Sequence, residues 1–214
     1  MALQNRVNPF GDIVATPERG TLFGNRGGRF HDPRTRRLTG RRFASRRWIC
    51  YELSFKNRRR TVFGQGYTEL FFLDEATALA AGHRPCLECR RADAISFREA
   101  YARGNRLSTS PLADEMDLRL HAERRSPRIS IGDWRSLPDG AMVARAGEPC
   151  LVLGGELLGW SPGGYLPPPR ANRSSLRLLT PQAIVAALRA GYGARLHPSA
   201  LELRAGALDV KDLR

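Results

Sequence analysis

The segment Pro-Cys-Leu-Glu-Cys at residues 85–89 constrains the fold of this 214-residue chain more than any other stretch. Proline is typical of the first position of a helix, so the segment predicts a helix that begins at Pro85 and runs to about Arg103, before Gly104. Two cysteines three positions apart at a helix N-terminus direct both sulfur atoms toward one point. Cys86 and Cys89 are therefore expected to lie side by side.

The sequence before this segment predicts two strands and a short helix. Residues 49–55 alternate apolar and polar side chains with a period of two, which is typical of a half-buried strand. Residues 67–73 are strongly apolar and predict a second strand, which we expect to pair with the first as a basic β-hairpin. Asp74 is a suitable N-cap for a helix over residues 75–81, with Gly82 at its end.

The second half of the chain predicts a different arrangement. A helix is predicted over residues 114–125, and beyond residue 128 short apolar runs alternate with turns, which is typical of a small β-meander or barrel. Thr180 and Pro181 open a last predicted helix that ends before Gly191. These elements predict an α+β protein with a C-terminal helix. Its expected regions are a basic N-terminal region with the cysteine segment (1–104), a linker with an amphipathic helix (105–127) and a β-rich C-terminal domain (128–214).

Positive charge is concentrated near the N-terminus. Lysine and arginine total 35 against 21 aspartate and glutamate, a net charge of +14, and the first 60 residues alone hold 15 basic and 4 acidic side chains. Glycines punctuate residues 1–46, which we expect to be a loop-rich arm. Such a basic patch favours a polyanionic partner, because each neutralised phosphate releases a condensed counterion. Nine arginines are the candidate contacts to nucleic acid: Arg26, Arg29, Arg41, Arg42, Arg46, Arg47, Arg58, Arg59 and Arg60.

Residues 71–91 resemble the second half of the zinc-binding domain of Ada-type DNA repair proteins. The shared pattern is a strand, a short helix ending in Ala-Ala-Gly, and then Arg-Pro-Cys-x-x-Cys. The resemblance extends over roughly residues 47–91 when the upstream strand is included. It implies an Ada-like module that holds zinc with cysteines, binds DNA and accepts a methyl group from a DNA phosphotriester on an upstream cysteine. The choice of DNA over RNA is implied by this resemblance alone.

The metal ligands implied by the resemblance are Cys86, Cys89 and Cys50, with zinc as the cofactor. The family supplies a pair of upstream cysteines, whereas this chain has Cys50 followed by Ser54. A fourth ligand would then be a histidine. The candidates are His31, His83 and His121. Two alternatives stay open: a module that keeps the fold without the metal, its cysteines packed as small apolar side chains, and methyl transfer to Cys50.

Two glutamates point to a different function. Glu52 shares the polar face of the first predicted strand with Cys50, and Glu69 lies on the expected partner strand. Two carboxylates beside a basic cleft can hold a divalent metal or act as acid and base. Cys50, Glu52 and Glu69 are thus the candidate catalytic residues of a nuclease or another phosphate-ester enzyme. A third alternative is a protein-interaction module with a degenerate metal site.

The sequence predicts no membrane partner. No apolar run approaches the roughly 18 residues of a membrane span, and the N-terminus lacks the apolar region of a signal peptide. Four scattered cysteines are typical of a reducing compartment. We therefore expect a cytoplasmic protein that binds nucleic acid, DNA by the resemblance, and acts in DNA repair or processing. An enzyme and an interaction module stay open as alternatives.

Overall fold

A computed structural model describes residues 2–58, 60–168 and 175–211 of the chain. Within these ranges the helices are α1 (Glu75–Ala80), α2 (Arg91–Gly104), α3 (Ala113–Arg125), α4 (Gln182–Arg189) and α5 (Pro198–Lys211). None of them is long and apolar enough to cross a bilayer. Helices and sheets occur together, which confirms the α+β class, and the last described element is a C-terminal helix. This helix, α5, follows the one that the sequence predicts as the last.

The described strands form two six-stranded sheets and a separate two-stranded hairpin. In chain order they are β1 (Gln4–Val7), β2 (Ile13–Ala15), β3 (Leu22–Arg26), β4 (His31–Asp32), β5 (Arg37–Leu38), β6 (Trp48–Tyr51), β7 (Leu70–Phe72), β8 (Arg84–Pro85), β9 (Ser130–Ile131), β10 (Met142–Arg145), β11 (Glu148–Leu153), β12 (Glu156–Ser161), β13 (Gly164–Leu166) and β14 (Leu176–Leu178). The N-terminal sheet has the order β2-β1-β7-β3-β6-β8, and the C-terminal sheet has the order β13-β12-β11-β10-β14-β9. β4 and β5 pair with each other.

The two strands predicted as a hairpin are not neighbours. β6 and β7 both pair antiparallel with β3, which lies between them in the sheet. β3 falls in the arm that was expected to be loop-rich, yet all five of its residues are buried. Gly24 allows this close packing, because a Cβ there would lie 2.4 Å from the Phe72 ring and 2.6 Å from the Ile49 carbonyl oxygen. β6 ends at Tyr51, so Glu52 lies outside the sheet.

The predicted first residue is correct for α1 and wrong for α2. α1 begins as predicted, with the Asp74 side chain accepting a hydrogen bond from the Thr77 backbone N–H at 2.9 Å. α2 begins at Arg91, six residues later than predicted. The reason is that Pro85 belongs to β8, which pairs in parallel with β6. Residues 86–90 therefore form a turn between a strand and a helix, and both cysteines of the segment lie in that turn.

The helices cover the two faces of the C-terminal sheet. Side chains alternate along β10, so that Val143 joins one apolar cluster with α2, α3 and α4, while Met142 joins a second cluster with α1 and α5. α2 approaches α4 so closely that a Cβ on Gly104 would lie 2.0 Å from the carbonyl oxygen of Ala186. The predicted boundaries after residues 104 and 127 therefore run through a common hydrophobic core, because α2 and α3 pack on the C-terminal sheet.

Buried ion pairs and hydrogen bonds join the two halves of the molecule. Glu75, at the start of α1, is fully buried and accepts hydrogen bonds from the Tyr192 hydroxyl at 2.6 Å and from Arg90, whose guanidinium lies 2.8 Å away. Arg84 in β8 donates two hydrogen bonds to Asp117 on α3, at 2.9 and 2.8 Å. Because both pairs are shielded from water, they hold the sheet edge and the helices in one fixed arrangement.

Candidate anion-binding cleft

A cleft of about 550 Å³ opens where the N-terminal sheet meets the end of α3 and the segment that leads into α4. Arginines, ring side chains and two carboxylates line it. The arginines are Arg26, Arg42, Arg124, Arg125 and Arg128. The ring side chains are Phe10, Phe43, Trp48 and His121, and the carboxylates are Asp12 and Glu123. The combination of guanidinium groups and flat rings suits an anionic ligand with planar parts.

Three of these arginines come from the end of α3 and the residues after it. Arg124 and Arg125 occupy the last turn of the helix, where positive charge interacts favourably with the helix dipole. Arg128 follows, and its guanidinium donates to the carbonyl oxygens of Leu179 at 2.8 Å and Phe10 at 2.6 Å. Hydrogen bonds to neutral carbonyls fix the guanidinium without cancelling its charge.

Arg26, the last residue of β3, is fully buried at one wall of the cleft. Its guanidinium carbon lies 4.0 Å from the centre of the Trp48 ring, and that of Arg124 lies 4.2 Å from the same ring. The Nε atom of Arg26 has no hydrogen-bond partner in the described part of the chain, although the two terminal nitrogens of Arg26 donate to backbone carbonyls. Burial, and then the charges of Arg42 and Arg124, lower the pKa of Arg26 to about 9. Positive groups thus crowd each other around one tryptophan.

The two carboxylates of the cleft do not balance this charge. Asp12 pairs with Arg42 at 2.8 Å, and both side chains are more than half exposed. Glu123 pairs along the helix with Arg119 at 3.2 Å, which is not a lining residue. The other four arginines of the cleft have no direct ion pair with a carboxylate among the described residues. The cleft therefore keeps a surplus of positive charge next to apolar ring surface.

The structure divides the nine predicted arginines by exposure. Those exposed to solvent are Arg29, Arg41, Arg42, Arg46, Arg47 and Arg58. Arg26, which the sequence analysis counts as a candidate contact to nucleic acid, is fully buried, because its guanidinium lies against Trp48 inside the molecule. Arg60 is partly buried, with its guanidinium carbon 4.4 Å from the centre of the Tyr51 ring. Arg59 lies outside the described residues.

Cys86 and Cys89 lie side by side, as their spacing predicts. Both are partly exposed and pack against the apolar cluster around Tyr51. Burial raises the pKa of the Cys89 thiol and Cys86 raises it further, whereas a hydrogen bond from the Glu52 backbone N–H, 3.5 Å from the sulfur, lowers it. The pair thus lies at the protein surface, with one face against the apolar cluster.

Cys50 does not join this pair. Side chains alternate along β6, so Tyr51 faces the two cysteines while Cys50 enters the cluster on the other side of the sheet, with Phe72. Cys50 is fully buried, and Arg90 donates to its sulfur at 3.2 Å. Burial raises the pKa of Cys50 to about 12, although Arg90 opposes the shift. The predicted ligand set with Cys50 is therefore not assembled, and this thiol is shielded from any methyl donor.

No histidine completes a zinc site in the described ranges. His31 is buried and engaged through both ring nitrogens, His83 is buried beside Trp48, and His121 lines the cleft. Indeed, no three histidine, cysteine or acidic side chains come together there as a metal site. Two thiols are half of the ligand set that tetrahedral zinc needs. Zinc stays a prediction that metal analysis of the purified protein tests, with the double variant Cys86→Ser/Cys89→Ser as control.

Comparisons with known proteins give no relative. The chain matches no family model, no curated protein and no solved structure. The resemblance of residues 47–91 to Ada-type domains therefore stays a prediction.

Glu52 and Glu69 do not form a pair of catalytic carboxylates. β3 separates the strands on which they were expected to meet, and each carboxylate has partners of its own. Glu52 forms an ion pair with Arg195. Glu69 accepts a hydrogen bond from the Tyr51 hydroxyl and lies 3.7 Å from Arg60. Burial raises the pKa of Glu69, against the effect of these two partners. Both side chains thus serve separate structural contacts.

Sequence reasoning missed the arginines at the end of α3. The helix itself was predicted, but the arginines at its end were not among the nine candidate contacts to nucleic acid. A signal was present, because Arg124 and Arg125 are adjacent and Arg128 follows three residues later. What the sequence does not show is that Arg124 lies over Trp48 and near Arg26, which precede it in the chain by 76 and 98 residues.

Proposed function

We propose that the protein binds nucleic acid and that the cleft receives part of the phosphate backbone. The observation that supports this best is that the guanidinium groups of Arg26 and Arg124 both lie against Trp48 and have no direct carboxylate partner in the described residues. Burial lowers the pKa of Arg124 to about 10, and it lowers the pKa of Arg26 further, to about 9. A phosphate beside these groups would offset both the lost hydration and the mutual repulsion.

The exposed arginines near the cleft extend the same basic surface. Arg41 and Arg46 form no direct ion pair with a carboxylate in the described residues, and the Arg46 carbonyl accepts a hydrogen bond from Arg124 at 3.0 Å. The exposed pair of Arg42 with Asp12 contributes little to stability, so Arg42 can exchange its carboxylate for a phosphate. Contacts of this kind carry no sequence information. We therefore expect binding that depends strongly on salt and weakly on sequence.

The salt dependence of binding tests the proposal. Fluorescence anisotropy of labelled duplex and single-stranded oligonucleotides would be measured between about 50 and 200 mM salt. Each phosphate contact adds about 0.9 to the slope of log affinity against log salt on a duplex. The double variant Arg42→Gln/Arg125→Gln should therefore lower the slope on a duplex by about two.

Arg135→Gln is a matched control, because Arg135 is also an exposed arginine beside a carboxylate, Asp133 at 3.3 Å, but lies in the C-terminal half. The control should bind like the native protein. An unchanged slope in the Arg42→Gln/Arg125→Gln variant would refute the assignment of phosphate to the cleft. DNA as the partner, and a role in repair or processing, rest on the sequence resemblance, and competition between DNA and RNA of one sequence tests the first of these.

A further inference from the structure

A second cavity, of about 680 Å³, lies on the N-terminal half of the molecule and shares no lining residue with the cleft. Four arginines line it: Arg6, Arg19, Arg36 and Arg60. No aspartate or glutamate of the described chain is among its lining residues, and the remaining lining is mostly apolar. The cavity thus combines an apolar floor with positive charge, and it has less opposing charge than the cleft.

The floor of this cavity contains two aromatic rings. Phe23 and Phe71 come from the adjacent strands β3 and β7, and their ring centres lie 4.5 Å apart. The guanidinium carbon of Arg6 lies 5.0 Å from the centre of the Phe71 ring. Phe23 and Phe71 belong to a cluster with Tyr51 that fixes their orientation. The two rings are inclined by 41° and mostly buried, and their exposed edges give the cavity a rigid aromatic floor beside a cation.

Two of the arginines are held in place by other residues. Glu69 lies 3.7 Å from Arg60, and the Tyr51 hydroxyl donates to the same carboxylate. Arg36 reaches across from the turn between β4 and β5 and donates to the Val62 carbonyl at 3.2 Å. The carboxylate of Glu69 is thus used behind the cavity to position Arg60. Arg36 keeps its full charge, because its partner is a neutral carbonyl.

Positive charge on the rim of the cavity is poorly neutralised. Arg19 and Arg36 are exposed, and neither forms a direct ion pair with a carboxylate in the described part of the protein. Burial and the charge of Arg19 lower the pKa of Arg6, and Glu18 offsets this only in part. Two guanidinium groups without a carboxylate partner, beside an aromatic floor, are suited to a group that is planar at one end and anionic at the other.

We infer that this cavity binds a nucleotide, with the base against the Phe23 and Phe71 floor and the phosphate on Arg19 and Arg36. The volume lies in the range of roughly 300–1,000 Å³ that is usual for small-molecule sites. The ligand is either a free mononucleotide or an unpaired nucleotide of a nucleic-acid chain, since both present the same base and phosphate. The site is separate from the proposed phosphate contacts in the cleft and stands without them.

Isothermal titration calorimetry with adenosine 5′-monophosphate, adenosine and inorganic phosphate tests the inference. We expect saturable binding of the nucleotide, tighter than that of either half alone. The double variant Arg19→Gln/Arg36→Gln should weaken nucleotide binding by at least about tenfold, because it removes the two charges that face the phosphate. Arg135→Gln, remote from both sites, should bind the nucleotide like the native protein.

The two sources are separated by a competition experiment. If adenosine 5′-monophosphate displaces an oligonucleotide with an unpaired end but leaves a blunt duplex bound, the chain end occupies the cavity; if it displaces neither, the free nucleotide is the ligand. The inference is overturned if adenosine 5′-monophosphate shows no saturable binding up to about 10 mM. It is also overturned if Arg42→Gln/Arg125→Gln abolishes nucleotide binding while Arg19→Gln/Arg36→Gln does not. Failure of the cleft proposal would appear separately, as an unchanged salt slope.

Discussion

His83 should make the stability of this protein fall in mild acid. The imidazole is fully buried between the rings of Trp48, at 4.9 Å, and Phe72, at 4.7 Å. Neither ring nitrogen has a hydrogen-bond partner in the described residues. Burial, with the charges of Arg26 and Arg124, lowers the pKa of His83 well below 6.5, and nearby backbone carbonyls offset this only in part. The folded protein therefore holds His83 neutral.

The size of the effect follows from proton linkage. A folded-state pKa below the unfolded value means that the unfolded chain binds a proton in mild acid while the folded chain does not. The contribution to stability is complete above pH 6.5 and is lost as the pH falls below that value. As long as the buried imidazole stays neutral, the loss is about 1.4 kcal/mol between pH 8 and pH 5.5.

His83→Phe isolates this contribution. A phenyl ring fits between the same two aromatic neighbours and leaves no unpaired buried nitrogen, so the variant should be at least as stable as the native protein at pH 8. Urea unfolding followed by tryptophan fluorescence gives the free energy of unfolding at each pH. The gap between the two proteins should widen by about 1.4 kcal/mol at pH 5.5.

The matched control is His121→Phe, because His121 lies at the cleft, is only partly buried and should show a smaller pH-dependent gap. A gap between native protein and His83→Phe that stays constant from pH 8 to pH 5.5 would show that His83 is not held neutral.

Two further predictions concern packing and buried charge. Asp117→Asn should lower the free energy of unfolding by about 3–5 kcal/mol, because it leaves the guanidinium of Arg84 buried without its counter-charge; Asp114→Asn, which breaks an exposed pair on the same helix, should have a much smaller effect in the same urea titration. Gly104→Ala should cost about 1–3 kcal/mol, since its Cβ would overlap the α4 backbone. Gly193→Ala, where a Cβ meets no atom within 4 Å, should not reproduce that loss in the free energy of unfolding.

Features set by neighbouring residues could be predicted from the sequence. Asp74 caps α1 through a hydrogen bond to a residue three positions later, so the signal and the contact lie in one short segment. The apolar runs beyond residue 128 likewise form sequential antiparallel neighbours, because short turns connect β10, β11, β12 and β13. The prediction that α2 begins at Pro85 was wrong for the opposite reason. The conformation of Pro85 is set by pairing with Cys50, which is distant in sequence.

The candidate sites depend on contacts that no local pattern encodes. Arg26 was one of the nine candidate contacts to nucleic acid, but pairing of β3 between β6 and β7 places it inside the molecule against Trp48. The resemblance to Ada-type domains grouped Cys50 with Cys86, whereas the alternation of side chains on β6 puts the Cys50 thiol on the other face of the sheet. The number of charged groups and thiols can be read from the sequence. Their burial follows from strand order, which is a long-range property.

α1, the shortest of the helices in the described ranges, has a consequence for the dynamics of the whole molecule. All six of its residues are buried, and its alanines and Leu79 are divided among three separate apolar clusters. A helix in that position cannot open by itself, because exposing its backbone amides requires all three clusters to separate. Its amide protons should therefore exchange with solvent only through global unfolding. The slowest-exchanging segment of this protein would then be one that is too short to form a stable helix in isolation.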